Sequence, residues 1–228
     1  NRMRPFQDND TAFLLQETLP VKERTQSSTI QTILGLRKVA KNPNFSSLLL
    51  VGAFISAPFM AYLALASYIY IDGFGVSETT FSMYFASNAA TSILGPVMYM
   101  RFGAGSVKKV INVGIIVAII SAILILTVGN ASPIIFLLSY VLYSIMTSYF
   151  RPLISDLLLS ATKTDVGAAS SVMNFGFTVI GSIGMVVGSL HWSSYTGGLG
   201  ITMLIFIALT TIVWFYLLKA KSIRFNWK

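Results

Sequence analysis

The sequence predicts an all-α, polytopic membrane protein, a bundle of six transmembrane helices built as a 3+3 inverted repeat. Three observations predict it. Of 228 residues, 54% are hydrophobic and only 11% charged, with a mean hydropathy of +0.73; a soluble domain carries about a quarter charged residues. Six apolar runs, each near the roughly 20 residues a membrane crossing needs, occupy 45–71, 79–100, 109–129, 133–160, 167–190 and 198–219. Lysine and arginine alternate between the segments that join them. The runs are too long and too continuous for the alternating strands of a membrane barrel.

The charge alternation fixes the expected threading. Lys22, Arg24, Arg37, Lys38 and Lys41 precede the first run. Arg101, Lys108 and Lys109 lie between the second and third, Lys163 between the fourth and fifth, and Lys219, Lys221, Arg224 and Lys228 in the tail. The intervening loops "DGFGVSE", "GNAS" and "HWSSYTG" have no basic residue. By the positive-inside rule both ends of a bundle over 45–219, including the tail 220–228, are cytoplasmic. The net charge of +8 therefore points to the inner membrane surface and not to nucleic acid. With no cysteine and a single histidine, His191, disulfides, thiolate metal sites and cysteine nucleophiles are excluded. No cofactor or metal is expected. No nucleophile–base pair appears at membrane depth, so an enzyme is the least favoured function.

The elements follow in order. Residues 1–13 read as a cut end or remnant. "QSSTIQTILGLRKVAKN", residues 26–42, fits either a short amphipathic helix lying on the inner surface or a solvated linker. Asn42-Pro43 then breaks the chain before the first span. Spans one and four carry polar aromatics and prolines: Pro58, Tyr62, Tyr68 and Tyr70, then Tyr140, Tyr143, Tyr149 and Pro152. Spans two and five are rich in small residues; in span five Gly181, Gly184 and Gly188 have the spacing that lets backbones approach closely. Spans three and six are nearly plain aliphatic, which suits lipid. This character repeats with a period of three, and an odd number of crossings per unit inverts the second unit, the construction of many secondary transporters.

Span four begins at Ser132 as cap and Pro133 as first helical residue. At 1.5 Å per residue, Arg151 lies about 27 Å and Asp156 about 35 Å down the helix, against a hydrocarbon core of about 30 Å. Both belong at the cytoplasmic boundary. There Asp156 has a partner to hand in Arg101 at the end of span two, and the pair would form a cytoplasmic gate latch. Simple positive-inside anchoring is the alternative. All eight acidic residues fall in loops, at ends or at an interface, so this chain lacks the buried carboxylate common in proton-driven carriers.

Three pieces resemble the C-terminal six-helix half of a major facilitator superfamily transporter, of the bacterial twelve-helix drug:proton antiporter type. "LLQETLPVKER" is similar to the end of its sixth helix with the basic central loop that follows. "GPVMYMRFGAGSVKK" resembles a degenerate copy of its Gly-x-x-x-Asp-Arg-x-Gly-Arg-Arg loop motif, with the acid missing. "DVGAASSVMNFGFTVIGSIGM" is similar to the opening of its eleventh helix. The resemblance makes residues 14–44 a cytoplasmic central-loop segment. It implies alternating access in the bacterial cytoplasmic membrane, with an N-terminal six-helix half of the same transporter as partner. It also implies proton coupling and a small-molecule substrate in a central cavity. Phe54, Tyr62, Tyr140, Tyr143 and Thr147 are the candidate lining residues, with Asn174 from span five, although for any single one helix packing is the stronger reading. Aromatic walls with few fixed charges suit export of lipophilic or cationic compounds. A half-size transporter acting as a homodimer and a non-transporting structural subunit are the alternatives.

Overall fold

The computed structural model describes residues 29–103, 105–161 and 166–219, and the side chains of all of these except 29–34 and 161. The Glu-Thr-Leu stretch, Lys163, Asp165 and the tail beyond Lys219 lie outside the described residues. The chain divides into two compact units, Asn1–Leu34 and Gly35–Lys228; all six spans belong to the second.

Helix α1 spans Thr29–Ala40. Span one is α2, Pro43–Ser67, continued by a π-helix, Tyr68–Gly73. Asn42 caps it through a bond from the Asn44 amide at 3.0 Å, with Pro43 as first helical residue. Span two consists of α3, Glu78–Ser92, and α4, Leu94–Phe102. Span three is α5, Val107–Thr127, and span four is α6, Pro133–Ala161. Span five is α7, Val166–Gly188, and span six is α8, Tyr195–Lys219. Among the described residues no strand occurs. Five helices among these residues are long and apolar enough to cross a membrane.

The exception corrects the expected continuous run over 79–100. Pro96 has no amide hydrogen to give the Ser92 carbonyl, and the helix breaks at Ile93, whose own amide closes onto Ala90 and Thr91. The two pieces together still cover about 37 Å at helical rise.

Small residues set the closest approaches. Gly184 rests on span one so tightly that a Cβ there would stand 2.8 Å from the Ala57 carbonyl carbon and nearer still to its oxygen. One turn on, a Cβ at Gly188 would stand 2.9 Å from that of Ala61. Gly181 meets Met60 on the same face. In span two, Gly95 packs directly on the span-four backbone between Ile145 and Tyr149.

The pairing of helices has a simple rule. Span one packs against spans five and six, and span four against spans two and three; spans one and four meet, as do three and six. Exchanging one with four, two with five and three with six maps these pairs onto themselves, as two copies of a three-helix unit must. One pair breaks the rule. Spans five and six pack together, whereas spans two and three do not comparably.

Candidate functional site

Where spans one, two and four meet, the gap is filled by aromatic rings. Tyr62 of span one stacks on Tyr140 of span four with centroids 4.0 Å apart, and on its other side lies Phe85 of span two at 6.1 Å. Phe136, one turn from Tyr140, stacks parallel to it at 6.2 Å. Tyr70 continues the column towards the end of span one: it stacks on Tyr84 at 5.1 Å and meets Phe136 edge-on at 5.4 Å. The π-helix puts Tyr70 there. A π turn holds more residues than an α turn, and this one buries the adjacent Ile69 and Tyr70 together while Tyr68 stays exposed.

The column is polar as well as aromatic. Tyr143 donates to the Ile55 carbonyl at 2.5 Å, tying span four to span one. Ser92 and Ser144 share a hydrogen bond of 2.6 Å between spans two and four. The hydroxyls of Tyr62, Tyr70 and Tyr140 and the side-chain oxygen of Asn88, by contrast, are buried without a partner. Buried polar atoms are nearly always satisfied in folded proteins, and this cluster of orphans at one helix junction departs from that rule.

Of the residues expected to line a cavity, Tyr62, Tyr140 and Tyr143 come together, and Thr147 is buried one turn below Tyr143. They form a seam between spans, and two cavities among the described residues are lined by other side chains. Phe54 is not part of the seam: its ring meets Phe206 of span six at 6.1 Å, because positions 54 and 62 point about 80° apart on a helix. Asn174 stands on the exposed face of span five, in a row with Ser171, Thr178 and Ser182. Those three hydroxyls donate to carbonyls of their own helix; the asparagine amide is the costlier group to leave facing lipid.

The gate trio is also rearranged. Asp156 accepts its hydrogen bond from the Tyr99 hydroxyl at 3.1 Å, and Arg101 is exposed. Positions 99 and 101 lie about 200° apart round a helix, so only one of them can face span four, and the tyrosine does. Among the described residues Arg151 does not pair with an acid either; its guanidinium lies over the Phe177 ring of span five, 5.8 Å from the centroid. The end of span four beyond Phe150 is thus fastened on one side to span two and on the other to span five. Tyr99→Phe removes only the first fastening. Because the bond is exposed, it should change stability by under about 1 kcal/mol while raising labelling of a cysteine placed beside Asp156. Unchanged labelling would show that the contact holds nothing closed.

Tyr70, Asn88, Tyr99 and Phe177 were not foreseen. A signal existed for Asn88, an amide in the middle of a small-residue run, which needs a buried environment. Nothing in the sequence announces the π turn behind Tyr70.

Two cavities lie outside the column. One, of about 670 Å³, opens between the π-helix, Asn130, the loop carrying His191 and Trp192, and Tyr195 at the start of span six. Asn130 and Thr196 share a hydrogen bond beside it. The other, of about 450 Å³, lies between spans two, three and four.

No family model matches the chain. A Bacillus subtilis (strain 168) protein described as an uncharacterized MFS-type transporter, YdgK, is 28% identical over 176 residues. The chain is similar to a major facilitator transporter. The match covers 75% of this chain and 44% of that relative, so the chain spans less than half of the relative's length. Together with the apolar helices, this supports a multi-pass membrane protein similar to part of an MFS-type protein.

Proposed function

We propose that this chain forms one six-helix bundle of a secondary transporter of the major facilitator type, the C-terminal half, which works by alternating access against an N-terminal bundle of the same polypeptide. The observation that carries this is the self-mapping pairing of the six spans, since an inverted repeat of three helices is how many carriers gain two alternative openings. The likeness to an MFS-type protein more than twice as long as the matched stretch supports it. So do the exposed polar faces of spans two and five, including Ser82, Ser87, Asn174 and Thr178, which suit a protein neighbour better than lipid.

In this proposal spans one and four form the moving seam, and separating them hydrates the orphan hydroxyls of Tyr62 and Tyr140. Aromatic faces with neutral hydroxyls favour small lipophilic or cationic compounds, which the transporter exports across the bacterial cytoplasmic membrane in exchange for protons. No acidic residue of the described spans lies near mid-membrane, so the titrating group belongs to the N-terminal bundle. Asp156, Arg101 and Arg151 act at the cytoplasmic gate, with both ends of this chain on that side.

The test is transport by the full-length protein in proteoliposomes loaded with a fluorescent lipophilic cation. An imposed proton gradient should accelerate efflux several-fold over protein-free vesicles. Efflux that ignores the gradient would remove proton coupling, and no flux of any cation or neutral lipophile would remove export. Activity of this chain alone, together with cross-linked pairs of it, would replace the second bundle with a second copy.

A further inference from the structure

We infer that the groove between spans two, three and four holds one acyl chain of an anionic phospholipid, with the lipid phosphate on Lys109. The groove lies where spans two and three pack together even less than their counterparts five and six do. Its walls are almost wholly apolar: Phe102 from span two, Val113 and Val117 from span three, Leu142 and Phe150 from span four. Lys109 is its charged lining residue. From Lys109 to Val117 is eight residues, about 12 Å along the helix, and Leu142 to Phe150 on the facing span gives the same length. That length and a volume of about 450 Å³ suit the upper half of a lipid chain lying parallel to the helices.

Charge complementarity selects the headgroup. Arg101, Lys108 and Lys109 lie within nine residues that contain no acid. Asp156 of span four is the acid among the described residues near this end, and its carboxylate already accepts from Tyr99. The first turn of span three carries two lysines and no acid, and its cap residue Ser106 makes no side-chain cap bond. Lys109 at the positive end of a helix dipole is unfavourably placed, and a phosphate beside it relieves that. Basic pockets between membrane helices are general sites for anionic headgroups. A zwitterionic lipid of equal chain length would fill the groove without that gain.

Native mass spectrometry of the purified protein with equal amounts of phosphatidylglycerol and phosphatidylcholine of matched chains reads both parts. The expected result is at least about a fivefold preference for one bound phosphatidylglycerol. Lys109→Gln, a change at an exposed position, should bring that preference near parity, and Lys41→Gln should leave it intact. Val113→Trp, filling the groove, should reduce adducts of both lipids several-fold. Glycerol 3-phosphate, which has a phosphate and no chains, should not compete at equal concentration. A preference unchanged by Lys109→Gln would overturn the inference, and so would effective competition by glycerol 3-phosphate, which would make the site one for free phosphate. The charge arm stands on Lys109→Gln even if Val113→Trp does not fold.

Discussion

Replacing Gly95 or Gly184 by alanine is expected to lower the thermal midpoint of the purified protein by about 5–10 °C, from one added methyl group. In both places the obstruction is backbone. A Cβ on Gly95 would stand 2.6 Å from the Ile145 oxygen and the Tyr149 nitrogen and 2.7 Å from the Ser148 carbonyl carbon. A Cβ on Gly184 would meet the Ala57 oxygen and stand 2.8 Å from its carbonyl carbon. Neither neighbour has a rotamer to change, so two helices must move apart along their whole contact. Overpacking of this kind typically costs about 1–3 kcal/mol, and 1 kcal/mol moves the midpoint of a chain this size by about 2–4 °C. Gly176→Ala is the control. Its Cβ would meet the methyl groups of Leu49, the nearest at 2.8 Å, and a leucine side chain can turn away. Fluorescence-monitored melting of the three variants should rank Gly176→Ala closest to the parent. Equal shifts for all three would mean that the two glycine seams are looser than their geometry implies.

Those two glycines occupy related places. Gly184 seats span five on span one, and Gly95 seats span two on span four; the three-by-three exchange converts one contact into the other. Opening the bundle by rigid motion of each three-helix unit would have to respect both. They differ in one respect: span two is broken beside its glycine, with Ile93 between two helices and Pro96 just beyond. The unit that holds the broken span is also the one whose members two and three leave a groove between them. A lipid chain in that groove would substitute for the missing helix contact.

The spans themselves were legible because membrane crossing demands length and apolarity, and both are written in the composition of each run. The start of span four was equally plain, since Ser132 accepts from the Ile135 amide at 3.3 Å and Pro133 opens the helix. Facing was not legible. The pairing of Asp156 with Arg101 followed from opposite charge at one depth, but which residue of span two reaches span four depends on helix rotation, and Tyr99 does. Phe54 failed for the same reason, being drawn to Phe206 on span six. The tyrosines of spans one and four lie together at a closed seam, ring against ring. In this conformation the seam is shut, and the rings are each other's neighbours.

That shut seam yields a prediction in which stability and function part company. Tyr140→Ala removes a ring that is wholly buried and touches Tyr62, Phe136 and Tyr143. It should cost about 3–5 kcal/mol, the usual range for emptying a large aromatic site, and reduce the yield of folded protein. Tyr140→Phe keeps the ring and removes only a hydroxyl that has no partner here. Removing an unsatisfied buried polar group is neutral or stabilising by about 1–3 kcal/mol, so this variant should melt at or above the parent's temperature. If the seam opens during transport, the same hydroxyl then meets water or substrate, and its loss should slow efflux by several-fold at unchanged protein level. The double variant Tyr62→Phe with Tyr140→Phe should extend both trends, because the two rings stack at 4.0 Å and share one environment. A phenylalanine variant that transports as fast as the parent would make the column a structural seam alone. One that melts lower would mean that the hydroxyl finds a partner in the closed state, and the orphan cluster would no longer point to an open one.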